Sequence, residues 1–285
     1  MTERALYVVK LGCVPYGEAL ELQRDVASRV IRGSIDGDVL LLLEHPPVVT
    51  LGRSSKQGNL VASPEYLATH GVELFEVERG GDVTFHGPGQ LVGYPIVDLK
   101  AHPHKRDLHW YLRQVEEVLI GALGQVGIEG RRNAGYTGVW VGAAGQGEPI
   151  IGPGGPIMGP NATGDQMEQG DGAGAAPRCH RIGGMPARKI ASIGVHARDW
   201  VTWHGFAINV TTDLSFFDLI VPCGIQDVQM TTVARELEGT LSVSVPDFGD
   251  AVVRVWSDVF GVAPESRLRQ ELFKASIPAS QPTAW

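Results

Sequence analysis

The chain has 285 residues, with 24 basic against 32 acidic side chains and a net charge of −8. A surface that acidic argues against nucleic acid as the main partner, because phosphate binding needs a basic footprint. Apolar residues at 43% and charged residues at 20% are ordinary globular composition, and the length accommodates one α/β domain carrying an insertion as well as it does two domains. The cysteines Cys13, Cys179 and Cys223 are too few and too scattered for a disulfide framework, which fits a reducing compartment. No charged leader precedes an apolar segment, and no apolar run reaches the ~18 residues of a membrane helix, so the expected location is the cytoplasm.

Ala5–Leu11 reads as a strand. Pro15 opens a helical pattern to Arg32, with Ala19, Leu22, Val26 and Val30 on one face. Val39–Leu43 is continuously apolar, as in a strand buried on both sides, and Pro46-Pro47 ends it. Pro64–His70 reads as a short helix and Val72–Val77 as a strand. A glycine-rich segment at Arg79–Gln90 leads into a strand at Leu91–Leu99. Asp107 caps a helix to Val126 whose inner face is Leu108, Leu112, Val115, Leu119 and Leu123, and Gly127 ends it. Gly138–Val141 is a strand. Gly142–Met185 is dominated by Gly, Pro and Ala and reads as a flexible insertion. Strand patterns resume at Lys189–His196 and Thr202–Val210, where His204, Phe206, Ile208 and Val210 alternate with Gly205, Ala207 and Asn209. Asp247–Phe260 is the last helix, presenting Val252, Val253, Trp256 and Phe260, and a loose tail follows. The interleaved elements define an α/β (α+β) fold: a single domain with a mixed sheet flanked by helices. The domain is expected over residues 1–265, with the insertion at 142–185 and a tail at 266–285.

Three segments carry chemistry. Cys223 lies between Pro222 and Gly224, a tight turn that presents a side chain beside bare amides. A thiol there can act as a nucleophile with an amide-lined oxyanion site, although the local sequence fits a small buried hydrophobe better. Lys189, among small and apolar neighbours, can activate a thiol or exchange protons; an edge-strand lysine facing water is the commoner case. Arg79–Gln90 has five Gly or Pro among its twelve residues, which lets backbone approach a ligand, and it lacks both P-loop and dinucleotide spacing. The scattered histidines show no metal-site spacing, so neither metal nor cofactor is expected.

Taken together, RGGDVTFHGPGQLVGYP (Arg79–Pro95), EHPPVVTLGRSSKQGNL (Glu44–Leu60), GVWV (Gly138–Val141), RKIASIGVHARDWVTWHGFAINVTTDLSFFDLIVPCGI (Arg188–Ile225) and the Asp107–Val126 helix resemble the lipoyl (octanoyl) transferases, the octanoyl-[acyl-carrier-protein]:protein N-octanoyltransferases. The likeness runs from Ala5 to Phe260, insertion excepted. It implies a fold similar to the catalytic domains of biotin protein ligases and lipoate ligases. It also implies that Cys223 carries the acyl group as a thioester and that Lys189 lowers the thiol's pKa and moves protons. The substrate-contacting positions it implies are Arg79, Gly80, Gly81, Asp82, Val83, Thr84, Phe85 and His86, then Ser192, Ile193 and Gly194, and Gly205, Phe206 and Ala207. The implied donor is octanoyl-acyl carrier protein. The implied acceptors are lipoyl domains of 2-oxoacid dehydrogenases and the glycine cleavage H protein. No nucleic acid or membrane partner is expected.

His86 and His204 fall in the matched motifs, where they either shape the carbonyl site by hydrogen bonding or serve structure alone. Arg178, Arg181, Arg188, Lys189 and Arg198 form an expected basic face that steers acidic partners. The rival functions are an ATP-dependent lipoate or biotin protein ligase, which would need no nucleophilic cysteine, and a non-catalytic module that binds lipoyl domains. A Cys/His hydrolase is a third, without a recognisable histidine partner.

Overall fold

The apolar run Val39–Leu43 is a strand covered on both faces. Val39, Leu41 and Leu43 pack with Ala19, Leu22, Val26 and Val30, while Leu40 and Leu42 join the cluster of Leu119, Leu123, Val252 and Trp256. A side-chain period of two sends alternate residues to opposite layers, so burial of both leaves no polar position. A computed structural model of the protein describes residues 4–142, 181–182, 185–239 and 241–267. Its strands are β1 (Ala5–Cys13), β2 (Asp38–Glu44), β3 (Val48–Leu51), β4 (Glu73–Glu76), β5 (Val83–His86), β6 (Gln90–Ile96), β7 (Arg131–Asn133), β8 (Tyr136–Val141), β9 (Arg181–Ile182), β10 (Met185–Pro186), β11 (Arg188–Arg198), β12 (Val201–Asn209), β13 (Gln229–Met230) and β14 (Ala263–Ser266). The helices are α1 (Tyr16–Ile31), α2 (Pro64–Thr69), α3 (Leu108–Gln125), α4 (Val233–Glu236) and α5 (Val245–Phe260).

The main sheet runs β14-β1-β2-β6-β12-β11-β8-β7, with β13 pairing beside β11. It is mixed: β1 lies parallel to β2 and β14, and β13 parallel to β11, while the other neighbours are antiparallel. Helix α1 covers one face, and α3 with α5 covers the other. A second sheet, β4-β3-β5, has its own core, which includes Val49, Val83, Phe85, Phe217 and Ile220. This is the α/β fold with a mixed sheet and flanking helices that the element pattern implied. No helix among the described residues is long and apolar enough to cross a membrane.

Asp107 caps α3 as expected, accepting from the amides of His109 and Trp110 at 2.8 and 3.1 Å. The buried face of α3 is rotated from the expected one: Tyr111, Val118 and Ala122 join Val115, Leu119 and Leu123, and Leu112 stays half-buried. Strand β5 emerges from the glycine-rich segment, because Val83 and Phe85 supply apolar side chains to the second sheet's core. Of the expected insertion, 143–180 and 183–184 lie outside the described residues, and β9 pairs antiparallel with β10. Of the expected tail, 268–285 lies outside them as well.

Candidate active site

Lys189 is not on an edge. Strand β11 is flanked by β12 and β8, and Lys189 is 1% exposed. Its Nζ donates to Cys223 Sγ at 3.0 Å and stands 5.4 Å from the Trp140 ring centroid. Ser192, also on β11, has its Oγ 3.6 Å from the same sulfur. Cys223 is half-buried at the centre of a single 3-10 turn, Pro222–Gly224, with φ at 56°. A non-glycine residue held in that left-handed region is strained, and its surroundings must hold it there. Burial pushes the thiol's pKa up, but the Lys189 charge, the hydrogen bonds from Lys189 and Ser192, and the Arg79 guanidinium outweigh it and leave the pKa below the ordinary thiol value. The turn does not offer all its amides to an oxyanion: Gly224 N donates to Val221 O at 2.9 Å and Ile225 N to Pro222 O at 3.1 Å.

Lys189 and Cys223 stand at a cleft of about 210 Å³. The structure brings most of the sequence-derived contact residues there: Arg79, Gly81, Asp82, Thr84 and His86 from the glycine-rich segment, Ser192, Ile193 and Gly194 from β11, and Gly205, Phe206 and Ala207 from β12. Gly80, Val83 and Phe85 do not line it. Gly80 N donates to Val195 O at 2.9 Å. On β5 the alternation sends Thr84 and His86 to the cleft but Val83 and Phe85 into the second core, where the Phe85 ring stacks on Phe216 at 4.7 Å. Arg79 is buried, with Nη2 donating to Thr50 O at 2.7 Å and Thr50 Oγ1 at 2.9 Å, so its first task is to tie the segment to β3. The lining also includes Tyr16, Tyr94, Gly135, Tyr136, Thr137 and Ile225, to which the sequence reading gave no role.

The cleft is polar where Tyr16, His86, Tyr94 and His204 line it. His86 Nδ1 meets Gln90 Oε1 at 2.8 Å, and buried His45 bridges Val14 O and the Tyr94 hydroxyl at 2.7 Å each. His204 departs from the expected strand alternation. Its φ of 54° turns it so that it and its neighbour Trp203 both approach Glu78: Trp203 Nε1 donates to Oε1 at 3.0 Å, and His204 Nε2 lies 3.8 Å from Oε2. Burial lowers the pKa of His45 to about 4, against a raising backbone hydrogen bond, and burial with the nearby His45 lowers that of His86 to about 3. Both rings are neutral in the fold at pH 7, whereas the unfolded chain takes up those protons near pH 6.5. Their contribution to stability is therefore complete above pH 6.5 and lost as the pH falls towards 3. Denaturation measured at pH 7 and pH 4 is expected to show that His86→Gln loses about 2 to 3 kcal/mol less than wild type over that interval. Equal losses would show that His86 is not neutralised by the fold.

Strand β8, paired beside β11, is anchored from α3. Glu116, fully buried, accepts from Arg113 Nη1 at 2.6 Å, Arg132 Nε at 3.0 Å and the amide of Gly138 at 3.2 Å. Gly138 has φ at 132° and packs directly on Lys189: a Cβ there would come within 3.0 Å of Lys189 Cε and 2.6 Å of Ala191 O. The expected basic face does not form as one patch. Lys189 is buried on Cys223, and Arg188 is paired with Glu236 at 2.7 and 2.9 Å. Arg198 remains exposed, while the side chains of Arg178 and Arg181 lie outside the described residues.

A lowered-pKa cysteine with a lysine on its sulfur, at the mouth of a narrow cleft, is equipped for acyl transfer. The family model described as lipoyl protein ligase A/B catalytic domain matches residues 15–257. The octanoyltransferase of Koribacter versatilis is 45% identical over 238 residues, 84% of this chain and 78% of that protein. The octanoyltransferase of Acidobacterium capsulatum is 41% identical over 261 residues, 90% of each chain. Among solved structures, lipoate-protein ligase A bound with ATP superposes with a TM-score of 0.60 at 18% identity, covering 96% of this chain and 92% of that one. The bipartite lipoate protein ligase of Thermoplasma acidophilum gives 0.61 at 16% identity, covering 96% and 89%. These two likenesses are of fold alone. The chain belongs to the lipoyl protein ligase A/B catalytic domain family, and its relatives at 36–45% identity are octanoyltransferases.

Proposed function

We propose that this acyltransferase moves an octanoyl group from octanoyl-acyl carrier protein to a lysine of a lipoyl domain through a thioester on Cys223. The observation that carries the reading is the 3.0 Å contact between Lys189 Nζ and Cys223 Sγ at the cleft. The Cys223 thiolate attacks the donor's thioester carbonyl, with Lys189 and the Ser192 hydroxyl close enough to face the developing oxyanion. The carrier departs as a thiolate and takes a proton from the Lys189 ammonium. The acceptor's amine then attacks the new thioester, neutral Lys189 takes the amine's proton, and the Cys223 thiolate is released to pair again with the ammonium. Thioester exchange is close to balanced and amide formation runs downhill, so no ATP is consumed. Acceptors are the lipoyl domains of 2-oxoacid dehydrogenases and the glycine cleavage H protein. The reducing cytoplasm suits a thiolate nucleophile.

Intact-protein mass after mixing with octanoyl-acyl carrier protein tests this. Wild type is expected to gain one octanoyl group that hydroxylamine removes, and Cys223→Ser to gain none. No adduct on wild type, with lipoyl-domain modification appearing only on addition of ATP and free octanoate, would replace the reading with a ligase.

A further inference from the structure

The strained nucleophile turn is held from one side by Asn59, a residue with no role in the chemistry described above. Asn59 is buried at the end of the short 3-10 turn Gln57–Asn59, and its backbone carbonyl accepts from Val221 N at 2.7 Å, two residues before Cys223. Its side-chain Nδ2 donates to Asp82 Oδ2 at 2.6 Å, and Asp82 Oδ1 accepts from Val83 N, the first residue of β5, at 2.7 Å. The amide–carboxylate pair lies against Gly224. A Cβ on Gly224 would come within 2.5 Å of Asp82 Oδ2 and 3.0 Å of Asn59 Nδ2, and Gly224 itself has φ at 67°. The residues on either side are laced together as well: Leu60 bridges Ile220, and the amides of Val61 and Ala62 both donate to Leu219 O at 3.0 Å. Lys189 and Ser192 reach the sulfur from β11, on a different element. The Lys189–Cys223 distance is therefore set by two independent supports, β11 for the lysine and the Asn59–Asp82 pair for the cysteine.

We propose that Asn59 is a positioning residue for the nucleophile, clamping the Cys223 turn through its hydrogen bond to Asp82 so that the sulfur stays in register with Lys189. The proposal rests on Cys223 being the acyl acceptor, and it makes the carboxylate of Asp82 part of the turn's support. Asn59→Asp sets two carboxylates against each other where one hydrogen bond stood. Reversing the pair, Asn59→Asp with Asp82→Asn, restores a donor and an acceptor across the same gap.

The test uses the full chain and two readouts. The first is the pH midpoint for iodoacetamide alkylation of Cys223, located by peptide mass, which needs no acyl donor and so stands apart from the test of the transfer reaction. The second is kcat and KM for octanoyl transfer. Asn59→Asp is expected to raise the alkylation midpoint by about half a pH unit or more and to lower kcat at least about tenfold with KM for the donor little changed. The double variant is expected to recover most of both. A melting temperature that falls while the alkylation midpoint stays at the wild-type value would overturn the proposal, as would a midpoint that shifts in the single variant and fails to recover in a folded double variant. Asn59→Ala, which removes the bond without adding a charge beside the thiol, is read by the same midpoint whether or not Asn59→Asp folds, and an unshifted value there overturns the proposal equally.

Discussion

Lys189→Met is expected to move the rising limb of the pH–rate profile upward and to lower transfer at neutral pH by at least about a thousandfold. The substitution keeps a long side chain beside Trp140 but removes the charge and the hydrogen bond that oppose burial of the Cys223 thiol. What remains is burial, which raises the thiol pKa, against Ser192 and Arg79, which lower it. The reactive form is the thiolate, so activity rises with pH through the thiol pKa. Raising that pKa shifts the limb to higher pH and costs about tenfold in thiolate per unit below it. Loss of the proton donor for the departing carrier adds about another hundredfold, which higher pH does not restore. Rates across the neutral and alkaline range, with Cys223 alkylation followed in parallel, separate the two contributions. An alkylation midpoint unchanged in Lys189→Met would show that the lysine does not activate the thiol.

Gly138→Ala is expected to lower transfer by about a hundredfold while leaving the protein folded. Two obstacles meet at this position. Its φ of 132° is a conformation that a side chain disfavours, and the added methyl would approach Ala191 O to 2.6 Å and Lys189 Cε to 3.0 Å. The carbonyl belongs to the paired backbone of β11 and cannot yield, so either β8 is pushed away or the lysine is pushed off the sulfur. Moving the lysine lengthens the 3.0 Å contact, and moving β8 withdraws Trp140 from beside the ammonium. Rate and melting temperature together decide the matter: a transfer rate equal to wild type would mean that the Gly138 contact does not set the lysine's position.

Much of the fold was legible because its main strands and helices carry period and caps. The run Val39–Leu43 could only be doubly buried, and Asp107 marked the start of α3. Short pieces carry no such signal. Strands β7, β13 and β14 have two to four residues each, too few to show alternation, and β5 lay hidden among glycines. Within the site, Lys189 and Cys223 stood out as chemistry, but either was readable as an ordinary residue until the motifs around them were taken together. Their 34-residue separation closes only through the sheet and the turn, a long-range event that local sequence does not encode. Asn59, Tyr16 and Tyr94 escaped for the same reason: each matters through a partner far along the chain, such as Asp82 or His45. Val83 and Phe85 failed in the opposite way, because a motif matched as a block conceals the alternation that sends half of its residues elsewhere.

The Glu116 carboxylate also bears on how such a sequence can change over generations. It is buried between two arginines that are 52% and 39% exposed, and it holds the backbone that packs on the lysine. Exchanging the glutamate alone takes a partner from both arginines, although Arg132 keeps Glu117 at 2.7 Å, and releases the Gly138 amide, whereas exchanging an arginine alone strands part of a buried anion. Positions 113, 116, 132 and 138 therefore form a linked set, in which a viable replacement at one is conditional on the residues at the others. Drift on the outer surface of α3, far from the chemistry, is thereby constrained by a lysine that no residue of that helix surface needs to touch.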